Sequence, residues 1–315
     1  MRPNRRLTAP DLAVLLPSWE LSLRAERKSP QTIKAYGDGV RRFLAYCDRQ
    51  TIEPVFDRAT ATGFVADLLD SGAEAATARA RQLGVRRFSA WLTAEGEYDV
   101  DPLLGLVSPK LDRKVLEPLR EDALRALLKT CTVTKSGMHA TPPGDVFRNR
   151  RDEAILRFMI ETGARAGEVV AIELDDLNTI EGRVVIRRGK GAKGRVVPFG
   201  SQTAVAIDRY LRQARTGHRL ASTPALWLGD RGKSFVYDGL HATLKARAAA
   251  AGVSGFHPHR LRHTAAHRWL AAGGSEGGLM AVAGWERPDM LLRYTRAQAS
   301  ARAADEASRL NLGDL

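Results

Sequence analysis

The amino-acid sequence predicts a mainly α-helical protein of two domains with one small β-hairpin. Its 315 residues exceed the length at which a single hydrophobic core usually stops growing, which favours a division into two domains. Apolar residues recur with helical spacing over much of the chain, whereas only two short segments are β-branched in the manner of strands. The expected fold class is therefore a helical N-terminal domain followed by a mixed α+β domain.

The N-terminal domain, expected over residues 1–107, contains four predicted helices. In order along the chain, they span residues 12–25, 29–50, 60–69 and an alanine- and arginine-rich stretch that ends near residue 96. In the second helix, Ser29 is a favourable N-cap and Pro30 suits the first helical position. Apolar side chains then repeat with helical spacing at Ile33, Tyr36, Val40, Phe43 and Leu44. These patterns indicate a compact helical module with basic faces.

A linker is expected at residues 108–118, where the sequence reads SPKLDRKVLEP. This segment is charged, is bounded by two prolines and lacks a sustained apolar period, which is typical of a connection between domains. The second domain is accordingly expected over residues 119–315.

The second domain is expected to combine helices with one hairpin. It begins with predicted helices at 120–128 and 152–161, separated by an irregular segment rich in Thr, Gly and Pro near 130–148. Two short strands follow, RVVIRR at 183–188 and RVVPF at 195–199, and the glycine-rich turn between them predicts a hairpin. The remainder is expected to be mainly helical.

The charge balance points to a nucleic-acid partner. Lysine and arginine number 49 against 36 acidic residues, giving a net charge of +13, which favours a polyanion or an acidic membrane surface. No apolar run approaches the roughly 18 residues of a membrane span, so nucleic acid is favoured and no membrane is expected. The apolar stretch near the N-terminus is too short for a signal peptide, so a cytoplasmic location is expected. Cys47 and Cys131 are expected to be buried thiols.

Two arginine- and lysine-bearing segments are candidates for phosphate binding. Gly163 is expected to end one helix and Arg165 to begin the next, so this arginine would project from a rigid corner; the alternative is a solvated helix-start residue. The hairpin has no acidic residue after Glu181, so no internal salt bridge explains its charge, although a solvated basic hairpin is the alternative. Its basic residues are Arg183, Arg187, Arg188, Lys190, Lys193 and Arg195. A lysine on such a turn can deliver a proton, which arginine cannot do at neutral pH.

Two further segments carry titratable groups. His259, His263 and His267 recur at four-residue spacing on one helical face, so a metal site has to be considered. No carboxylate completes a ligand set, which disfavours metal, and His263 and His267 are expected to pack inward with satisfied hydrogen bonds. In the last segment, Trp285 follows a glycine and Tyr294 comes nine residues later; a tyrosine taken alone is usually structural.

The order and spacing of four motifs resemble the tyrosine recombinase, or lambda-integrase-like, family, which includes the Xer proteins. The motifs are TGARAGE, GKGAKGR, HRLRH and GW followed by tyrosine after nine positions. The resemblance is detailed over residues 118–310, while residues 11–105 are similar to the family's core-binding domain only in general pattern. Trp285 stands where most members have His, and Ala164 where Leu is more common. The stretch after Trp285 also lacks the usual Ser/Thr-rich helix start.

The resemblance implies a catalytic mechanism and a set of partners. Arg165 and Arg262 would clamp a DNA phosphate and Tyr294 would attack it, with Lys190 as general acid to the departing 5′-oxygen. His259 would assist proton transfer at the tyrosine and Trp285 would donate its indole N–H to a phosphate oxygen. Residues expected to hold the DNA backbone are Arg187, Arg188, Lys193 and Arg195. Expected partners are double-stranded DNA with an inverted-repeat core site, four protomers at the synapse, and possible accessory directionality or host proteins; no metal, ATP or other cofactor is expected.

Three other functions remain open at this level. A type IB topoisomerase would share the tyrosine chemistry and relax supercoils without strand exchange. A catalytically silent DNA-binding protein could keep the same fold. A metal-dependent nuclease would use the histidine helix and would be inhibited by excess EDTA.

Overall fold

The computed structural model divides the chain into two compact units. They comprise Met1–Lys114 and Val115–Leu315, and the division falls within the segment expected to be a linker. The residues that the structure describes are 10–111, 117–134, 141–187, 194–287, 291 and 308. The limits of the linker stay a prediction, because residues 112–116 lie outside the described part.

The described part of the first unit contains four helices. They are α1 (Leu12–Ala25), α2 (Pro30–Gln50), α3 (Arg58–Asp70) and α4 (Ala75–Ala94). The predicted cap of α2 is confirmed, since the Ser29 hydroxyl accepts the Thr32 backbone N–H at 3.1 Å and Pro30 occupies the first turn. Helix α3 begins two residues before its predicted start because Asp57 accepts the Thr60 N–H at 2.8 Å and caps it there.

Helices α2 and α4 pack closely where glycines face backbone carbonyls. A Cβ atom added at Gly39 would lie 2.6 Å from the carbonyl oxygen of Arg81, and one at Gly84 would lie 2.5 Å from that of Tyr36. The core beside this crossing is aromatic, with Trp19, Phe43 and Phe88 among the buried side chains. The two glycines therefore set how near the helices come.

The described part of the second unit is helical apart from one small sheet. Its principal elements are α5 (Glu121–Lys129), α6 (Pro143–Thr162), α7 (Ala166–Val170), β1 (Leu177–Asn178), β2 (Arg183–Ile186), β3 (Arg195–Pro198), α8 (Ser201–Tyr210), α9 (Tyr237–Ala250), α10 (Pro258–Ala271) and α11 (Glu276–Ala283). The prediction of an irregular segment near 130–148 is wrong at its C-terminal end, because α6 already begins at Pro143. Proline in the first helical turn and Asp145 near the positive end of the helix dipole favour this start.

The sheet is antiparallel in the order β1-β2-β3. Val184 pairs with Val197, and both side chains are buried, as the alternation in the two strands requires. The predicted hairpin strands are thereby confirmed, although β2 and β3 are shorter than expected. Strand β1 has only two residues and gave no sequence signal, since it exists only by pairing with β2.

Helix α6 runs through the core of the second unit. Ile155, Leu156, Phe158 and Met159 are all buried, together with side chains from the neighbouring helices and the sheet. The two cysteines are buried free thiols, as expected. Within the described ranges, no helix is long and apolar enough to cross a membrane.

Replacing either contact glycine by alanine should destabilise the first unit. Gly39→Ala or Gly84→Ala would force a Cβ against a carbonyl oxygen, which should lower the free energy of unfolding by about 1–3 kcal/mol despite the better helix propensity of alanine. Gly144→Ala in α6 is the control, since a Cβ there meets nothing within 4 Å. Urea unfolding of the full chain measures the effect, and equal stability of all three variants would contradict the packing account.

Candidate active site

Arg165 stands at the corner predicted from the sequence. Helix α6 ends at Gly163, whose φ of 62° lies in the left-handed region that favours glycine, and Arg165 is the N-cap residue of α7. The Arg165 side chain donates from Nη1 to Oε1 of Glu168 at 2.8 Å, and its backbone N–H donates to Oε2 at 2.9 Å. These two hydrogen bonds to the Glu168 carboxylate therefore fix both the backbone of the corner and the guanidinium group of Arg165.

Arg262 lies on α10 and is almost completely buried. Its Nη1 donates to the carbonyl of Gly163 at 2.8 Å and its Nη2 donates to the carbonyl of Ala283 at 2.7 Å. The guanidinium carbon lies 5.2 Å from the centroid of the Trp285 ring, within cation–π range. These contacts orient the Arg262 guanidinium against the turns that follow α6 and α11.

His259 occupies the first turn of α10 beside another histidine. Its backbone N–H donates to Nδ1 of His257, the N-cap residue, at 3.2 Å, and the two rings stack with centroids 5.6 Å apart. Partial burial of the ring lowers the pKa of His259, and the positive charges of His257, Arg262 and Arg165 lower it further. The imidazole is therefore neutral at pH 7 and able to accept a proton.

One pocket of about 380 Å³ brings three of the predicted catalytic residues together, namely Arg165, His259 and Arg262. Tyr237 of α9 also lines it, although no sequence motif predicts this position. The predicted general acid and nucleophile, Lys190 and Tyr294, lie outside the described residues. The predicted DNA contacts Arg188 and Lys193 lie outside them as well.

Trp285 packs against Arg262, which lines this pocket. Its side chain is buried in a small apolar cluster with Leu270, Leu279 and Ala283, and its indole nitrogen is buried too. Stacking on Arg262 and burial among aliphatic groups both favour a packing role in the DNA-free chain. Donation from the indole to a phosphate stays a prediction.

In the described part of the hairpin, Arg183 and Arg187 each pair with a carboxylate, so the expectation that no salt bridge balances the charge is wrong for these two residues. Arg183 pairs with Glu181 at 2.5 Å, and Arg187 donates from Nε to Asp176 while its side chain stays largely exposed. Asp176 precedes the hairpin in sequence and reaches Arg187 only through the fold. Arg187 as a DNA contact stays a prediction.

Arg195 is held by the protein through its whole guanidinium group. Nη1 and Nη2 donate to the two carboxylate oxygens of Glu168 at 2.9 and 2.8 Å, and Nε donates to the carbonyl of Val282 at 2.8 Å. The Arg195 side chain is only 12% exposed. This geometry does not support the expected contact with the DNA backbone, since binding a phosphate would require breaking a buried bidentate ion pair.

Glu168 is a residue of the candidate site that the sequence motifs do not indicate. Burial would raise the pKa of its carboxyl, but hydrogen bonds from Arg195 and from the Arg165 backbone and side chain outweigh it and lower the pKa to about 2. The available signal was its position, because glutamate at the third residue of a helix commonly accepts the N-cap backbone N–H. Its second partner, Arg195, is 27 residues away.

The other histidines of α10 behave as expected in part. His263 and His267 are half-buried, and each takes part in an interaction with its surroundings. Within the described part of the chain, no group of three His, Cys, Asp or Glu side chains is arranged to hold a metal ion.

Comparisons with known proteins give the chain its family. The model of the phage integrase family matches residues 117–301, and that of the phage integrase N-terminal SAM-like domain matches residues 16–96. This chain belongs to the phage integrase family. Tyrosine recombinase XerC of Mycobacterium sp. (strain KMS) is 32% identical over 270 residues, covering 82% of this chain and 86% of that protein. The predicted family and enzyme class, a tyrosine site-specific recombinase, are thus confirmed.

Solved structures share the fold of this recombinase. The XerH site-specific recombinase bound to palindromic difH substrate, a post-cleavage complex, matches 96% of this chain and 85% of its own with a TM-score of 0.70 at 16% identity. A lambda integrase tetramer bound to a Holliday junction matches 89% of this chain and 76% of its own with a TM-score of 0.66 at 13% identity. The predicted fold class, a helical N-terminal domain and a catalytic domain with a small sheet, is confirmed.

The buried Glu168 carboxylate should make the recombinase lose stability in acid. Its folded-state pKa lies below its ordinary value of 4.5, so its contribution is complete above pH 4.5 and is lost as the pH falls towards 2. Glu168→Gln should therefore cost about 3 kcal/mol of unfolding free energy at pH 7, and the difference from the parent chain should shrink between pH 4.5 and 2.

Denaturant unfolding at a series of pH values measures this difference. Glu181→Gln is the control, because that carboxylate is half-exposed and pairs only at the surface, so its removal should change stability little at any pH. If the unfolding free energy of Glu168→Gln falls with pH in parallel with that of the parent chain, the ion pair does not control the loss of stability in acid.

Proposed function

We propose that this recombinase cleaves and rejoins double-stranded DNA at specific sites through a covalent 3′-phosphotyrosine on Tyr294. The observation that carries the proposal is the convergence of Arg165, Arg262 and His259 on one pocket. Attack on a phosphodiester requires positive charge beside the non-bridging oxygens and a group that accepts a proton. Two oriented guanidinium groups and one neutral imidazole in the same pocket meet these needs.

Each side chain has one role in the proposed cleavage step. The guanidinium groups of Arg165 and Arg262 bind the non-bridging oxygens and offset the charge that develops on them. The Tyr294 oxygen attacks phosphorus and its proton passes to neutral His259. The bond from phosphorus to the 5′-oxygen breaks, and that oxygen takes a proton from Lys190.

The proposed reaction needs neither metal nor ATP. The free energy of the broken phosphodiester is kept in the phosphotyrosine, because one phosphate ester replaces another. Attack by a 5′-hydroxyl on that phosphotyrosine reverses the step and releases Tyr294, so that rejoining to a second strand exchanges partners.

The proposed partner is duplex DNA with an inverted-repeat core site, bound by four copies of the chain at the synapse. Support comes from the net charge of +13 and from the two structural relatives, one bound to its palindromic difH substrate and one a tetramer on a Holliday junction. Accessory proteins that set the direction of recombination, and a cytoplasmic location, belong to the same proposal.

Tyr294→Phe should abolish covalent capture of DNA while leaving binding nearly intact, since it removes only the nucleophilic oxygen. A nicked suicide substrate, analysed on a denaturing gel, measures the adduct. Tyr237→Phe is the matched control, because Tyr237 is the tyrosine that lines the described pocket and its variant should still form adduct. An adduct formed by Tyr294→Phe, or lost only in Tyr237→Phe, would refute the assignment.

Lys190→Ala should block cleavage of ordinary DNA by about 10²–10⁴-fold, the usual contribution of a general acid. Replacing the leaving 5′-oxygen by sulfur should restore the rate, because a thiolate departs without a proton. Lys193→Ala is the companion variant and should affect both substrates equally, since Lys193 is expected to contact the DNA backbone. If Lys190→Ala is equally defective on both substrates, Lys190 positions the phosphate and is not the acid.

A further inference from the structure

Arg195 joins three elements of the second unit through one side chain. It extends from β3, forms two hydrogen bonds to Glu168 of α7, and donates from Nε to the carbonyl of Val282 in α11. Its guanidinium carbon also lies about 3.0 Å from where a Cβ of Gly284 would stand, so a side chain at residue 284 would displace it. The strand, the Arg165 corner and the end of α11 therefore share one contact point.

The carboxylate of Glu168 lies between two guanidinium groups. Oε1 accepts from Arg165 Nη1 at 2.8 Å and from Arg195 Nη1 at 2.9 Å. Oε2 accepts from the Arg165 backbone N–H at 2.9 Å and from Arg195 Nη2 at 2.8 Å. Because Arg195 contacts both oxygens, it fixes the plane of the carboxylate, and that plane determines where Arg165 can lie.

The position of Arg195 in the sequence gives this contact a wider consequence. It follows the proposed general acid Lys190 by five residues, and the Val282 carbonyl that it contacts precedes the proposed nucleophile Tyr294 by 12 residues. Arg165 in turn donates to the carbonyl of Gly284 at 3.4 Å, so both arginines meet the end of α11.

We propose that Arg195 is a positioning residue for DNA cleavage. It holds the Arg165 guanidinium through Glu168 and holds the end of α11 through Val282, so that Arg165, strand β3 and the end of α11 keep one relative arrangement. This proposal rests on the proposed function. It replaces a role in which Arg195 contacts the DNA backbone.

The two roles predict different defects when Arg195 is changed. A backbone contact contributes mainly to DNA affinity and to its salt dependence. A positioning residue contributes to the rate of the step after binding, because a displacement of about 1 Å at a reacting centre can cost about a hundredfold in rate. Affinity and single-turnover rate therefore have to be measured on the same variants.

The experiment compares Arg195→Met and Arg195→Lys in the full chain on a nicked suicide substrate. We expect Arg195→Met to lose about a hundredfold in single-turnover adduct formation while its DNA affinity changes less than about threefold. Arg195→Lys should recover part of the rate, since a lysine keeps the charge but contacts one oxygen at a time. Arg212→Met is the control, because Arg212 is exposed and its guanidinium pairs with Asp208, four residues earlier.

A double-mutant cycle tests whether Arg195 acts through Glu168. If it does, Glu168→Gln and Arg195→Met should each slow adduct formation, and the double variant should be little slower than the worse single variant. Multiplied defects would show independent actions and would overturn the proposal. A loss of DNA affinity that accounts for the whole defect of Arg195→Met would also overturn it and return Arg195 to the DNA backbone.

Thermal melts separate these outcomes from unfolding. If Arg195→Met does not fold, Arg195→Lys carries the test, with an expected loss of at least about tenfold in rate at the affinity of the parent chain. A folded Arg195→Lys that forms adduct at the parental rate overturns the proposal. If the parent chain forms no adduct, the proposed function fails instead, so the two failures are distinguishable.

Discussion

The geometry of the candidate site depends on one buried carboxylate. Glu168 accepts hydrogen bonds from the side chains of Arg165 and Arg195 and from the backbone at Arg165, so it is charged in spite of its burial. Removing a carboxylate from water is costly, and these donors offset that cost. The same bonds hold Arg165, the proposed phosphate clamp, at the corner between α6 and α7, so the ion pair that stabilises the fold also orients a proposed catalytic group.

The second constraint is the use of two helix ends as anchors for Arg262. The carbonyl of Gly163, after α6, and that of Ala283, at the end of α11, both accept from its guanidinium group. Helix carbonyls at a C-terminus lack partners within the helix, and a buried arginine satisfies them. Gly163 and Gly284 have φ values of 62° and 64°, so glycine allows each chain reversal that presents these carbonyls.

Local features were predictable from the sequence and long-range ones were not. The cap at Ser29, the corner at Arg165 and the hairpin strands follow from residue preferences within a few positions, and they were predicted. The pairing of Glu168 with Arg195 was missed, because nothing near either residue indicates the other. The charge of Arg195 is visible in the sequence and favours a DNA contact, whereas its carboxylate partner is supplied only by the fold.

The most direct test of the central claim is to identify the residue that becomes linked to DNA. The chain would be trapped on a nicked substrate, the DNA trimmed with nuclease, and the nucleotide-bearing peptide located by mass spectrometry. The account predicts a nucleotide on the side-chain oxygen of Tyr294. A nucleotide on Tyr237, which lines the described pocket, or on any other residue would contradict it.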